Sequence, residues 1–564
     1  MLSASTRTAL PSGSALELVL GYHERTKHHF ARYAQGPETL DWDAQPAAFR
    51  NYLGSETLPL PLLSELSADH PHAMAFAAPF VVPAVVPTPA WTLASLGLLL
   101  QMSLGVTAWK SYGPDRWAVR ANPSSGNLHP VEAYVVARGM PFLADGVWHY
   151  CSRRHELERR ARWESVPAGG SGLFIALTSV MWREMWKYGE RAFRYCQLDV
   201  GHAVCALSVA SAILGAELER DRSLGSLSLS RALGTDSESH SADAAEREEP
   251  ELALRVGLSS AASVSSLAEL LPTGRAVRFE GRPSIIDPRP MYRWPVVEQV
   301  ALSTRTGDGL PLQSANSQTE TTSDVSAPQP VEATSVFRRP PARDVLLGRR
   351  SAQRFDIQHV MPHEAFCSLL RALLPDATPP WRLAQPARID LVLFVHRVED
   401  VVPGIYFLGR RGKASDGLRE LLQAHFASAT GVDLSPELPL TRLCAVAPRE
   451  LMRTARALHC HQDIASNGCL ALGMIAEFRD ALAASPAVYR DLHQEAGLVG
   501  QVLYLEAEAL GLRGTGIGCF FDEAVHELLG LSTDRFQSLY HFTLGRPLDD
   551  PRIEHGPPYP ERQG

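Results

Sequence analysis

The chain has 564 residues, with 54 lysines and arginines against 62 aspartates and glutamates, and a formal net charge of -8. That length exceeds what one hydrophobic core usually fills, so two large domains are expected. The acidic balance argues against a nucleic-acid partner, which would need a clustered basic surface. The 8 cysteines form no C-x-x-C pair, and this predicts free thiols in a reducing cytoplasm.

The apolar residues 74–107 are the best membrane candidate, because the N-terminus has polar and proline interruptions that make a poor signal segment. Four prolines between positions 79 and 89 would break a spanning helix. The segment therefore predicts a buried helix over 91–105. We expect a cytoplasmic protein with no membrane partner.

Two apolar segments, 195–215 and 491–511, predict long helices that pack together where two halves of the chain meet. They share a spacing of arginine, glycine and a Leu-Gly pair: Arg194, Gly201 and Leu214–Gly215 in the first, Arg490, Gly497 and Leu510–Gly511 in the second. The matched spacing indicates an internal repeat. The alternative is that any two buried helices rich in alanine and leucine look alike.

Residues 302–335 are poor in aromatics and rich in Ser, Thr, Gln and Pro, so they cannot bury enough surface to order themselves. We predict a flexible linker over 301–336, between an N-terminal domain (1–300) and a C-terminal domain (337–564). A second polar stretch, 221–250, lies where the first copy would carry the glycine-rich turn found in the second. That turn is predicted to be lost from the first copy.

Three short motifs divide between the two halves. Pro123, Ser124, Ser125, Gly126 and Asn127 precede the strand-like run VEAYVV in the first half. The second half carries Arg349, Arg350 and Ser351, with Gln353 two residues on, and the glycine-rich run Gly514–Gly518. A Ser-Gly-Asn tripeptide is most often an ordinary turn, and Arg-Arg-Ser also recurs by chance.

In combination these motifs resemble the nitroreductase superfamily, and within it the SagB-type flavin dehydrogenases that oxidise azoline rings in modified peptides, together with their long two-domain relatives. Further blocks fit the same order: YHERTKH at 22–28, LDWDAQPAAFRNY at 40–52, GVWHY at 146–150, WKYGERAFRYCQLDVGH at 186–202, GLRGTGIGCFFDEAVHELLGL at 511–531 and LGRPLDDPRI at 544–553. The resemblance implies an α+β fold of two nitroreductase-like copies, each a mostly antiparallel sheet wrapped by helices, that form an intrachain pseudo-dimer.

The resemblance also implies one FMN between the halves, because each half retains a different part of the site. Arginine forks and a serine suit a phosphate monoester, so Arg349, Arg350, Ser351 and Gln353 would hold the phosphate, with Arg546 and Arg552 closing over it. Backbone N–H groups at Gly516, Ile517 and Gly518 would approach the isoalloxazine edge. Pro123 to Asn127 (Pro123, Ser124, Ser125, Gly126, Asn127) would hold the pyrimidine side.

Lys187 and Tyr188 are the candidate catalytic residues, since azoline dehydrogenases carry an adjacent Lys-Tyr pair that assists proton removal. Such a group acts as a base near neutral pH only if its pKa is lowered by burial or a neighbouring cation, and Arg191 and Arg194 are close in sequence. The alternative is a surface lysine beside a core tyrosine. His129 either contacts substrate or supports the turn before Pro130.

The predicted function is therefore FMN-dependent hydride transfer with a small-molecule or peptide substrate. The leading substrate class is a peptide-derived heterocycle, with peptide-modifying enzymes as expected partners. One alternative is an NAD(P)H-dependent nitro or quinone reductase, with NAD(P)H as the electron donor. Another is a non-catalytic partner protein, which the retained arginine and glycine motifs disfavour. No metal site is predicted, because His459, Cys460 and His461 are adjacent and diverge on a helix or strand.

Overall fold

The computed structural model of the protein describes residues 5–6, 13–81, 90–163, 170–236, 244–258, 263–272, 277–309, 338–432, 434–435 and 437–562. Most of the predicted linker, 310–336, lies outside these ranges. Its first residues do not begin a linker, because the helix Pro295–Ser303 runs past position 301 and Thr304 is buried against the second half. The predicted start of the linker at 301 is therefore too early.

An antiparallel sheet of seven strands, the N-terminal sheet, occupies the first half. Its strands, in spatial order, are Leu218–Asp221, Glu249–Val256, Gly172–Ser179, Val131–Arg138, Gly146–Cys151, Glu156–Arg162 and Thr57–Pro59. The central strands are buried along their whole length because helices cover the sheet.

The second half contains the C-terminal sheet, also of seven antiparallel strands. Its strands, in spatial order, are Arg513–Ile517, Phe536–Gly545, Leu470–Glu477, Ile389–Val395, Gly404–Leu408, Leu440–Ala445 and Thr430–Gly431. Apart from the last edge strand, the order of strands along the chain is the same in both sheets. The predicted α+β architecture of two copies is confirmed.

Two helices of 22 residues each, Ala192–Ile213 and Val488–Ala509, pack together between the sheets and are called the central helices. Gly201 and Gly497 meet where the helices cross, since a Cβ on Gly201 would lie 2.0 Å from the backbone oxygen of Gln494. The equivalent distance from Gly497 to the oxygen of Leu198 is 2.1 Å. The repeated glycine is therefore required by close helix contact, and the predicted pseudo-dimer is formed within one chain.

The remaining longer helices surround the sheets: Ala15–Arg25, Pro71–Ala77, Leu93–Leu104, Trp182–Tyr188, Ser226–Leu233, Ala342–Gly348, His363–Ala372, Asp416–His425, Pro448–Leu458, Arg479–Ala484 and Asp522–Leu529. Leu93–Leu104 is the buried helix predicted over 91–105. Among the described residues, one helical stretch, Trp182–Ile213, is long and apolar enough to cross a membrane, but 94% of its apolar window is buried inside the protein.

The C-terminus returns to the first half. The strand Glu554–Gly556 pairs with Val106–Tyr112, which in turn pairs with Asp115–Arg120. Tyr559 accepts a hydrogen bond from the backbone N–H of Val106 at 3.0 Å. The second half therefore contributes its C-terminal strand to a small sheet of the first half.

Candidate functional site

A cavity of about 350 Å³ lies between the two halves, a volume in the range of small-molecule sites. The first half lines it with the predicted segment Pro123–Asn127 and with Lys110, Trp117, Tyr188, Tyr195, Asp199 and His202. The second half lines it with the predicted segment Arg349–Gln353, with Thr515–Cys519, and with Gln462, Tyr504 and Tyr540. The two motifs, which lie more than two hundred residues apart in the sequence, therefore line the same cavity.

The turn at Ser125–Asn127 has two residues in the left-handed backbone region, Gly126 at φ 59° and Asn127 at φ 60°. Glycine is favoured at 126 because a Cβ there would lie 2.6 Å from the hydroxyl of Tyr188 and 3.1 Å from Lys187 Nζ. The close packing places the Lys-Tyr pair directly behind the turn.

The polar side chains of this turn make hydrogen bonds that stabilise its conformation. The backbone N–H of Ser125 donates to Asp199 Oδ1 at 3.1 Å, and its hydroxyl donates to the same oxygen at 3.2 Å. The hydroxyl of Ser124 accepts from the His129 N–H at 2.8 Å, and Asn127 bonds the His129 ring at 3.1 Å. His129 is buried and supports the turn, which decides between the two roles expected of it.

Asp199 is a buried carboxyl on the first central helix and lines the cavity. Burial raises its pKa to about 7, against hydrogen bonds from Ser124 and Ser125 that lower it. A second buried carboxyl, Glu184, lies under the same turn with Oε2 lacking a hydrogen-bond partner, and burial followed by Asp199 raises its pKa. Two buried carboxyls with raised pKa values therefore flank the turn.

Arg349 and Arg350, which are predicted to hold a phosphate, already make hydrogen bonds within the protein. Arg349 is buried and donates to the backbone oxygens of Ala121 at 2.7 Å and Arg120 at 2.9 Å, while its Nη1 has no hydrogen-bond partner among the described residues. Arg350 donates to Thr107 Oγ1 at 2.9 Å. Arg349 therefore ties the halves together and leaves one buried N–H donor for a ligand.

Lys110 adds a cation that no motif predicted. It lines the cavity, and no described carboxylate lies within ion-pair distance of its Nζ. Burial, then Arg350, Arg513 and Arg349, lowers the pKa of Lys110. Convergence of these cations makes this end of the cavity positive.

Arg546 and Arg552 do not line the cavity, contrary to prediction. Both are exposed, and Arg552 pairs with Asp550 at 2.7 Å. After the last strand of the C-terminal sheet, the chain continues to the strand Glu554–Gly556, which pairs with the first half. Both arginines lie on this connection, outside the cavity. Lys110 occupies the neighbouring part of the wall instead.

Gly516 and Gly518 form a close-packed wall opposite the Ser-Ser-Gly turn. A Cβ on Gly516 would lie 1.7 Å from the Tyr540 hydroxyl, and one on Gly518 would lie 2.3 Å from the Tyr195 ring. The N–H of Gly516 donates to the Tyr504 hydroxyl at 2.9 Å. Glycine is therefore required here for ring packing as well as for backbone access to the cavity.

The Lys187–Tyr188 pair ends the helix Trp182–Tyr188, and Tyr188 lines the cavity. Burial lowers the pKa of Lys187, opposed by Glu184. Burial, then Glu184, raises the pKa of Tyr188 well above its ordinary value. Within this pair, lysine is therefore the candidate proton acceptor, and tyrosine remains a protonated donor.

The expectation that Arg191 and Arg194 lower these pKa values is wrong. Arg191 and Arg194 both pair with the buried Asp522, at 3.1 and 2.9 Å. Asp522 comes from the second half, more than three hundred residues away. Sequence proximity to Lys187 therefore does not bring either guanidinium to it, and burial alone supplies the lowering.

Several lining residues were missed, and some carried a usable signal. Asp199 is an acidic residue on a mostly apolar helix, two residues before Gly201, and such a residue requires a polar partner. Tyr504 and Tyr540 gave no signal, because aromatic residues on apolar elements are usually core. His202 bonds the Tyr540 hydroxyl at 3.1 Å and also lines the cavity.

Comparison with known proteins agrees with this architecture. Residues 443–546 match the Nitroreductase family model. A segment of 135 residues is 29% identical to MJ1384 of Methanocaldococcus jannaschii, a protein assigned as a nitroreductase; it covers 22% of this chain and 65% of that protein. The crystal structure of a protein from Anabaena variabilis, also assigned as a nitroreductase, superposes with a TM-score of 0.64 at 22% identity, over 94% of this chain and 99% of the other.

The chain therefore shares the fold of that crystal structure over 94% of its length, and its residues 443–546 match the nitroreductase family. This chain spans 65% of the length of its curated relative, so activity and ligands follow from the cavity and not from that match.

Proposed function

We propose that this protein is an FMN-dependent oxidoreductase with a single flavin site between its two halves. The observation that carries the proposal is the shared cavity. Its walls combine Pro123–Asn127 from the first half with Arg349–Gln353 and Thr515–Cys519 from the second. The family match over 443–546 supports the same reading.

The cavity fits a flavin monophosphate at both ends. Lys110, Arg350 and the partnerless Nη1 of Arg349 supply positive charge for a dianionic phosphate. Gly126, Gly516 and Gly518 line the cavity without side chains, so a flat ring system can approach their main chain. Lys110, Arg349, Arg350 and Ser351 would hold the phosphate.

FMN, when bound, supplies an acceptor or donor for a hydride. The protein must then manage the proton that accompanies hydride loss from a carbon substrate. Lys187, with a pKa lowered by burial, serves as the acceptor, and Tyr188 donates a hydrogen bond that orients the substrate. Asp199 holds the Ser125 turn in place.

For the substrate we infer a peptide or peptide-derived heterocycle, oxidised from azoline to azole. Support comes from Tyr188 in the cavity wall and from Lys187, which packs against Gly126 of that wall. Trp42 is 59% exposed, and its ring lies 5.3 Å from Lys187 Nζ. An NAD(P)H-dependent nitro or quinone reductase is the competing function, and it would show rapid flavin reduction by NAD(P)H alone. If the peptide substrate is correct, an azoline-containing peptide should reduce the flavin in the absence of NAD(P)H.

Comparing FMN with riboflavin, which lacks the phosphate, tests the cofactor assignment. Lys110→Ala should weaken FMN binding roughly 10- to 100-fold, since a hydrogen bond to a charged group contributes about 1.5 to 3 kcal/mol. Riboflavin binding should be unchanged. Lys413→Ala, at an exposed lysine outside this cavity, is the matched control. Equal loss for both flavins would place the phosphate elsewhere.

A further inference from the structure

Cys460 and Cys519 bring two sulfur atoms to 2.6 Å from each other at the wall of the cavity. Both are free thiols of intermediate exposure, and Cys519 is part of the cavity lining. A disulfide bond has an S–S length of about 2.05 Å. Only a small side-chain movement therefore separates these thiols from a covalent bond.

The side chain of Gln462 and a strained turn hold the two cysteines together. Gln462 donates from one amide nitrogen to the oxygens of His459, at 3.0 Å, and Cys519, at 3.1 Å, and so joins the two segments. Cys460 and His461 both have left-handed backbone, at φ 52° and 59°. Consecutive non-glycine residues in this region are strained and persist only where the surroundings enforce them.

The surroundings also distinguish the two thiols. Ala34 N–H donates to His28 Nδ1 at 2.9 Å, so a neutral His28 ring carries its proton on Nε2 and is a donor towards Cys519. The hydrogen bond with Cys460, followed by that with His28, lowers the pKa of Cys519 to about 5, with Arg191 acting in the same direction. The pKa of Cys460 is raised by the bond with Cys519 and by burial.

We propose that Cys460 and Cys519 form a reversible dithiol–disulfide couple at the wall of this cavity, with Cys519 as the attacking thiol and Cys460 as the resolving thiol. The inference stands independently of flavin binding. Its oxidant is a low-molecular-weight disulfide, R–S–S–R. The Cys519 thiolate attacks one sulfur and releases R–S⁻, leaving a mixed disulfide on Cys519.

Cys460 then loses its proton and attacks the Cys519 sulfur, which releases the second R–S⁻. The protein has lost two electrons and two protons, and the reagent has become two molecules of R–SH. The other cysteines do not share this arrangement: Cys151, Cys196, Cys205, Cys367 and Cys469 are buried. Cys444 is partly exposed like the pair, but burial raises its pKa and no described sulfur lies beside it.

The test uses the full chain and hydroxyethyl disulfide, a small neutral probe. After incubation and alkylation of the remaining thiols under denaturing conditions, we expect two thiols fewer per chain and a peptide pair linked through Cys460 and Cys519. Dithiothreitol should reverse both changes. Cys444→Ser should form the same link, and it is the matched control for a partly exposed cysteine.

Variants of the pair identify the order of attack. Cys460→Ser should accumulate the mixed disulfide on Cys519. In Cys519→Ser the remaining Cys460, whose pKa burial still raises, should react at least 10-fold more slowly than Cys519 does in Cys460→Ser, where His28 and Arg191 still favour the thiolate. The wild-type measurement does not depend on either variant folding. Full alkylation of both thiols after exposure to excess disulfide, with no linked peptide, would overturn the proposal.

Discussion

Replacing Asp199 by asparagine should change how the stability of the protein depends on pH. Burial raises the pKa of Asp199 from 3.8 to about 7. Below pH 4 the carboxyl is protonated in both folded and unfolded chains, and its contribution to stability is complete. Between pH 4 and pH 7 the unfolded chain releases the proton and the folded chain keeps it, so this contribution is lost as the pH rises through the folded value.

The size of the effect follows from that pKa. Each unit corresponds to about 1.4 kcal/mol, so ionising Asp199 costs roughly 4 kcal/mol of folding free energy above pH 7, of which about 3 kcal/mol accrues between pH 5 and pH 8. Asparagine cannot ionise, and its side-chain oxygen still accepts from Ser125. The Asp199→Asn variant should therefore gain about 3 kcal/mol relative to wild type over this interval.

Urea denaturation at pH 5 and pH 8, followed by tryptophan fluorescence, measures this difference. Asp480→Asn, at an exposed aspartate, is the matched control and should show no pH-dependent change relative to wild type. A constant offset between Asp199→Asn and wild type at both pH values would refute the reasoning, because it would mean that Asp199 is ionised throughout.

Four further variants test the site and the interface. Arg349→Ala should weaken FMN by roughly 30-fold or more and also lower the melting temperature, since its buried bonds to the first half are lost; FMN affinity equal to wild type in a folded variant would contradict the phosphate assignment. Lys187→Ala and Tyr188→Phe should keep a normal flavin spectrum but slow substrate-dependent flavin reduction by roughly 100-fold, while dithionite reduction is unaffected; loss of bound FMN in both would mark the pair as structural. The rising limb of the pH–rate profile should disappear in Lys187→Ala. Gly201→Ala should abolish cooperative thermal unfolding or strongly lower the melting temperature, because its Cβ would overlap the backbone of the facing helix. A melting temperature equal to wild type would show that the central helices separate easily.

The sequence was sufficient to predict the two copies and the residues that meet between them. The repeated spacing around Gly201 and Gly497 reflects a physical contact, so it survived in both halves. The family resemblance allowed the Ser-Ser-Gly and Arg-Arg-Ser motifs to be predicted as parts of one site, because each was present in only one half. These features are local in sequence or repeated, and such features can be read without knowing the packing.

Contacts set by tertiary packing could not be read in this way. Asp522 forms ion pairs with both Arg191 and Arg194, which lie in the other half of the chain. No residue near those arginines in the sequence predicts this partner. Lys110 replaces the predicted C-terminal arginines because the last strand crosses to the first half. The Cys460–Cys519 contact likewise joins residues 59 apart that only the sheet and turn geometry brings together.

The number of FMN molecules bound per chain tests the central claim most directly. Protein reconstituted with excess FMN, freed of unbound flavin and denatured, should release one FMN per chain by absorbance, because the two halves supply complementary parts of a single cavity. Two FMN per chain, or none after reconstitution, would contradict a single flavin site built from both halves.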